Sequence, residues 1–190
     1  APYFLPALLG TIQARVDTYF IALYLENNVL AYYNVFMSFL NFSYSLINFT
    51  MAPFIKNMYR LKLKALRKLQ YKYTLGAIAF AAISMFATKI LIEHYYDYQL
   101  PNWFYLIGAI NILTFSVYVL IINKLFKIER QKLVALTAFF ALVVQSVLSY
   151  FLIPLYYLNG AILIYFSGQL LETFIFFILD RKLTNPNKDE

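Results

Sequence analysis

The chain has 190 residues, of which 62% are apolar and only 13% charged, whereas a soluble domain carries about 25% charge. Cysteine is absent and His94 is the sole histidine, so a disulfide framework, a thiolate metal site and a histidine metal cluster are all excluded. The formal charge of +7 raises the question of a nucleic-acid partner, which the placement of the charges answers in the negative.

A hydrocarbon core of roughly 30 Å needs about 20 consecutive apolar residues in a helix. Six stretches qualify, at about 3–25, 29–54, 73–92, 102–123, 133–154 and 159–179. The expected fold is therefore an all-α integral membrane bundle, with a six-helix lobe over 1–183 and a polar tail or linker over 184–190. Segment 1 has neither the basic start nor the short apolar core of a signal peptide. The chain opens Ala1-Pro2-Tyr3, which suggests an excerpt of a longer protein.

Segment 1 carries Gln13, Arg15 and Asp17 near its middle. A charge deep in a bilayer costs about 2.5–3.5 kcal/mol even on the mildest scale. Arg15 and Asp17 are two residues apart and do not face each other on a helix, so each needs water or a partner elsewhere. Arg15 is a candidate cavity cation, with an interhelical pair or a snorkelling side chain as the structural alternative. Asp17 leans toward a structural role.

Segment 2 has the clearest pattern. Asn34, Ser38, Asn41, Ser45 and Asn48 alternate at steps of four and three, which makes one continuous helical face, with Val35, Phe39, Phe42 and Leu46 expected opposite. Such a stripe either lines an aqueous path or joins helices by hydrogen bonds. Five polar groups in line favour a cavity, since helix association uses one or two, worth about 0.6 kcal/mol each.

Residues 55–72 follow, with Lys56, Arg60, Lys62, Lys64, Arg67, Lys68 and Lys72 and no acid. Ile55, Tyr59, Leu66, Leu69 and Tyr73 can share one face of a helix lying on anionic lipid headgroups at 56–72; an ordinary solvated loop is the alternative. Segment 3 ends near Lys89, and the connection 93–101 holds Glu93, His94 and Asp97. Segment 4 places Asn111, Thr114 and Tyr118 at steps of three and four, and 124–132 brings Lys124, Lys127, Arg130 and Lys132. Segment 5 adds Gln145 and Ser149. Segment 6 adds Gly168 and Glu172, the latter expected to pair with Lys124 or Lys182 or to serve a function. Pro53 and Pro154 are expected to end segments 2 and 5.

Basic residues alternate with the connections: eleven fall in 55–72 and 124–132, and none in the three connections between. The positive-inside rule then puts both termini in the cytoplasm. Tyr95, Tyr96, Tyr98, Trp103 and Tyr105 gather at the opposite edge, as rings with one wet end do. No nucleotide-binding glycine loop, histidine–carboxylate cluster or serine elbow occurs, so no enzyme and no cofactor is expected.

Three stretches, LPALLGTIQARVDTYFIALYLENNVLAYYNVF, NFTMAPFIKNMYR and LIPLYYLNGAILIYFSGQLLE, together resemble the polysaccharide flippases of the multidrug/oligosaccharidyl-lipid/polysaccharide exporter superfamily. In the last stretch Tyr157 stands where the family turn has its first glycine, while Asn159-Gly160-Ala161 keeps the second. The resemblance implies one six-helix lobe, the C-terminal one, of a MATE-like two-lobed transporter in the bacterial inner membrane. It implies a lipid-linked oligosaccharide as substrate, Arg15 on its pyrophosphate, the Asn/Ser stripe on its sugars, a possible coupling cation, and the other six-helix lobe as partner. The rival readings are a cation-coupled small-molecule antiporter of the same superfamily and a membrane scaffold with no transport path.

Overall fold

The computed structural model describes residues 4–60, 63–96 and 98–183, with only the helical backbone given for 56–59, 63–64, 66–67 and 182–183. The tail 184–190 and the side chains of Tyr59 and Leu66 lie outside the described residues. The elements, in order, are α1 (Phe4–Gln13), α2 (Val16–Tyr24), α3 (Asn27–Arg60), α4 (Leu63–Tyr95), α5 (Asn102–Lys127) and α6 (Gln131–Leu183). Four of these are long and apolar enough to cross a membrane: Asn27–Ile55, Lys68–Tyr95, Asn102–Lys127 and Gln131–Arg181.

Segment 1 is not one helix. Arg15 N bonds Ile12 O, three residues back, and Arg15 adopts φ −125° and ψ −6°. The ladder breaks there and restarts as α2, whose first turn begins at Arg15 O accepting from Tyr19 N. Pro53 does not end α3, which continues to Arg60. The basic stretch expected to form a separate helix on the headgroups instead belongs, on both sides of residues 61–62, to α3 and α4.

At 53 residues, α6 would be about 80 Å long if straight, more than twice the thickness of a bilayer core. It folds back at Tyr157, whose φ of 52° and ψ of −135° are not helical. A Cβ added at Gly168 would stand 2.8 Å from Gln145 Oε1, although the two are about 35 Å apart along a continuous helix. A Cβ at Gly160 would stand 2.6 Å from Leu152 O. α6 is thus a hairpin of two helical limbs, 131–156 and 158–183, and its turn is the one expected between segments 5 and 6.

The core follows from small residues that let large ones interlock. Gly108 of α5 sits under Met85 of α4 and Phe36 of α3, with Ala81 buried beside them. The inner face of α3 is Tyr33, Phe36, Leu40, Tyr44 and Ile47, all buried. Val35, Phe39, Phe42 and Leu46 therefore flank the polar stripe rather than oppose it, and Phe42 is 63% exposed. Ile78, Ile83, Phe86 and Ile90 of α4 also face outward, an arrangement at home against lipid chains.

The two ends of the bundle differ in charge. At one end Met51, Leu69, Tyr73 and Leu120 pack together and Lys124 bonds Asp180, so the basic connections 55–72 and 124–132 share that end. At the other, Tyr32 stacks on Tyr98 with ring centroids 3.7 Å apart, and Tyr24 meets Tyr150. The connections without bases gather there.

Candidate functional site

Polar side chains converge on a cavity of about 160 Å³ inside the bundle. α1 contributes Gly10 and Gln13, α3 Asn41 and Tyr44, α5 Phe115 and Tyr118, and the two limbs of α6 Gln145, Tyr165, Gln169 and Glu172. Each reaches the cavity by helical phase: Gln145 and Gly168 face one another across the α6 hairpin, and Gly168 supplies the room that the amide needs.

Glu172 is the cavity's acid. It is 6% exposed, accepts from Gln13 Nε2 at 3.4 Å and lies 3.5 Å from the Tyr118 hydroxyl, which donates to it. It does not pair with Lys124, whose Nζ instead lies 2.6 Å from Asp180 Oδ2. Gln145 Nε2 donates to the backbone oxygen of Gln13 at 3.4 Å, and the Tyr44 hydroxyl donates to Gln169 Oε1 at 3.1 Å. The cavity thus presents amides, phenols and one carboxylate, and no base among its lining residues. Such a set holds a cation, water or hydroxyl groups.

The candidates named from sequence divide into three groups. Gln13, Asn41 and Gln145 line this cavity. Ser38, Asn41, Ser45 and Asn48 are exposed and Asn34 half-buried, so the stripe runs along the outer surface of α3 and touches the cavity only at Asn41. Ser38 and Ser45 donate to Asn34 O and Asn41 O, which leaves the three asparagine amides as the free edge of the stripe. The third group lies elsewhere. Arg15 is exposed at the α1–α2 break, where it caps α2 without a side-chain bond, and no ion pair forms at it among the described residues. Asp17 is fully buried, with Oδ1 accepting from its neighbour Thr18 N and Oδ2 lacking a hydrogen-bond partner among the described residues. Asn111 is 2% exposed within the packed face of α5, outside the cavity lining.

Tyr165 and Gln169 were not singled out in the sequence, yet with Glu172 they recur at steps of four and three on the second limb of α6. The spacing that reveals the stripe on α3 reveals this face too.

The long apolar helices, their outward apolar faces and the polar interior define a multi-pass helical bundle of membrane-protein type. Comparison with known protein families, with characterised proteins and with solved structures finds no match to this chain.

Proposed function

We propose that the chain is one six-span lobe of a two-lobed inner-membrane transporter that flips a lipid-linked oligosaccharide, with both termini cytoplasmic. In this reading α1 and α2 together form one interrupted span and the limbs of α6 form the last two. The observation that carries it is the stripe of Asn34, Ser38, Asn41, Ser45 and Asn48 on the outer surface of α3. Five polar groups along a membrane-spanning helix are costly against lipid chains, so they face a second protein body across a hydrated path. The other lobe is that body, and sugar hydroxyls match the asparagine amides.

Arg15 suits the diphosphate end of such a substrate. It stands at the start of a half-helix, where the dipole also favours an anion although Asp17 Oδ1 already takes the Thr18 amide, and discontinuous helices of this kind form substrate sites in many transporters. Its guanidinium fork can hold two phosphate oxygens at once.

A cation antiporter of the same superfamily is the second reading, favoured by the acid without a base in the cavity. The two readings join if the Glu172 cavity seats a coupling cation while the glycan follows the outer stripe.

The test uses the full-length protein in vesicles, with membrane abundance and translocation of a lipid-linked glycan measured together. Arg15→Ala should insert normally and lose transport by about tenfold or more, the loss of a charge-assisted bond worth about 1.5–3 kcal/mol. Arg15→Lys should keep part of it. Normal abundance with full transport in Arg15→Ala would overturn the reading.

A further inference from the structure

We infer that the basic end of the cleft between α3 and α4 is a binding site for an anionic diacyl phospholipid. α3 and α4 meet where Ser43 Oγ and Ser84 Oγ share a hydrogen bond, and between that point and the basic end they leave a cleft of about 310 Å³. Its walls are Leu46 and Ile47 on one side and Gly76, Ala77 and Phe80 on the other. Gly76 opens the floor: a Cβ there would meet nothing within 4 Å. A second apolar hollow of about 230 Å³ adjoins it, walled by Met51, Phe54 and Leu69.

Lys72 and Tyr73 belong to both hollows. The Tyr73 side chain borders both and is held by its hydroxyl, which donates to Ile47 O at 3.3 Å and lies 3.3 Å from Thr50 Oγ1. Lys72 is exposed, no ion pair forms at it among the described residues, and Lys68 is exposed one turn earlier. Two apolar hollows that share Tyr73 as a border and Lys72 as their common ammonium match two acyl chains joined below one phosphate. Charge complementarity selects the ligand, because the leaflet that meets the basic end of a membrane protein is the one rich in anionic lipid. A single-chain polyprenyl phosphate would fill one slot and leave the other empty. The site is separate from the polar cavity and independent of what is transported. It rests on the orientation of the basic end toward the cytoplasm.

The probes are dioleoyl phosphatidylglycerol, dioleoyl phosphatidylcholine and decaprenyl phosphate, titrated onto the purified full-length protein in detergent and read by native mass spectrometry. Wild type should retain phosphatidylglycerol over phosphatidylcholine. Lys72→Ala should reduce that preference roughly fivefold, the share of one lysine near a lipid surface. Gly76→Leu, which fills the open floor and favours the helix, should reduce retention of both diacyl lipids while leaving thermal stability intact. Lys132→Ala, at the same end but outside the cleft, should change neither. An unaltered preference in Lys72→Ala, or unaltered retention in Gly76→Leu, would overturn the site. Tighter Lys72-dependent retention of decaprenyl phosphate than of phosphatidylglycerol would overturn the diacyl assignment.

Discussion

Lys124 Nζ lies 2.6 Å from Asp180 Oδ2, joining α5 to the end of α6 through an ion pair whose side chains are 3% and 12% exposed. Removing one partner of a buried pair leaves the other charge buried without its counter-ion, at a cost of up to about 3–5 kcal/mol that any further contact of the remaining carboxylate reduces, whereas removing both costs far less. Lys124→Ala should therefore lower the unfolding midpoint of the detergent-solubilised protein, and Lys124→Ala with Asp180→Ala should recover most of the loss. A double variant as unstable as the single one would show that the pair is not what holds this corner.

These 190 residues hold no cysteine, so in a full-length protein cleared of any cysteine elsewhere the α3 surface is open to scanning. Single cysteines at positions 34, 38, 41, 45 and 48 should react with a hydrophilic thiol reagent. Cysteines replacing Phe42 and Phe49, exposed on the apolar flank, should react only with a membrane-soluble one, and those replacing Tyr33 and Leu40 with neither. Silence of the stripe toward hydrophilic reagents would mean that it is sealed against another helix, which supports a scaffold rather than a path.

The turn of α6 makes opposite demands at two neighbouring positions. Gly160→Ala drives a Cβ toward the Leu152 carbonyl, a backbone atom that cannot step aside, and should destabilise the protein by about 1–3 kcal/mol. Tyr157→Gly relieves a non-glycine residue held at positive φ and should stabilise by about 1–3 kcal/mol. Gly10→Ala, inside α1 with open space around it, provides the comparison and should stabilise by about 0.5–1 kcal/mol through helix propensity alone. Thermal unfolding followed by fluorescence checks all three.

Most of the architecture was legible because lipid imposes a simple rule on sequence: long apolar runs, bases gathered at one end, rings at the edges. Those features located the long apolar helices and the turn at residues 155–158. The break at Arg15 was hidden because neither proline nor glycine marks it, and an apolar run reads the same whether or not its hydrogen-bond ladder is continuous. The run of α3 past Pro53 was missed because a helix tolerates proline where neighbouring groups can satisfy the freed carbonyl. The stripe on α3 could be read from spacing alone, but the cavity could not. It is assembled from α1, α3, α5 and both limbs of α6, and no pattern within one segment tells which polar faces meet. The surroundings of Glu172 depended on the same information: a pair with Lys124 was one expectation and Gln13 and Tyr118 stand there instead, while the side chain of Lys182, the other expected base, lies outside the described residues.

The lengths of the links between helices carry a mechanical consequence. Residues 25–26 join α2 to α3, 128–130 join α5 to α6, and Tyr157 alone interrupts α6. Links this short have no slack, so a push on one of these helices is delivered to its neighbour almost undiminished, and α6 swings as a single stiff yoke. The joint at Ala14–Arg15 differs. It lies partway along a strut, where Ala14 N still bonds Gly10 O but Arg15 N turns to Ile12 O, so the strut bends rather than ends. Gln13 ties the end of α1 to both limbs of α6, so a shift of α6 is carried straight to the bend at which Arg15 stands.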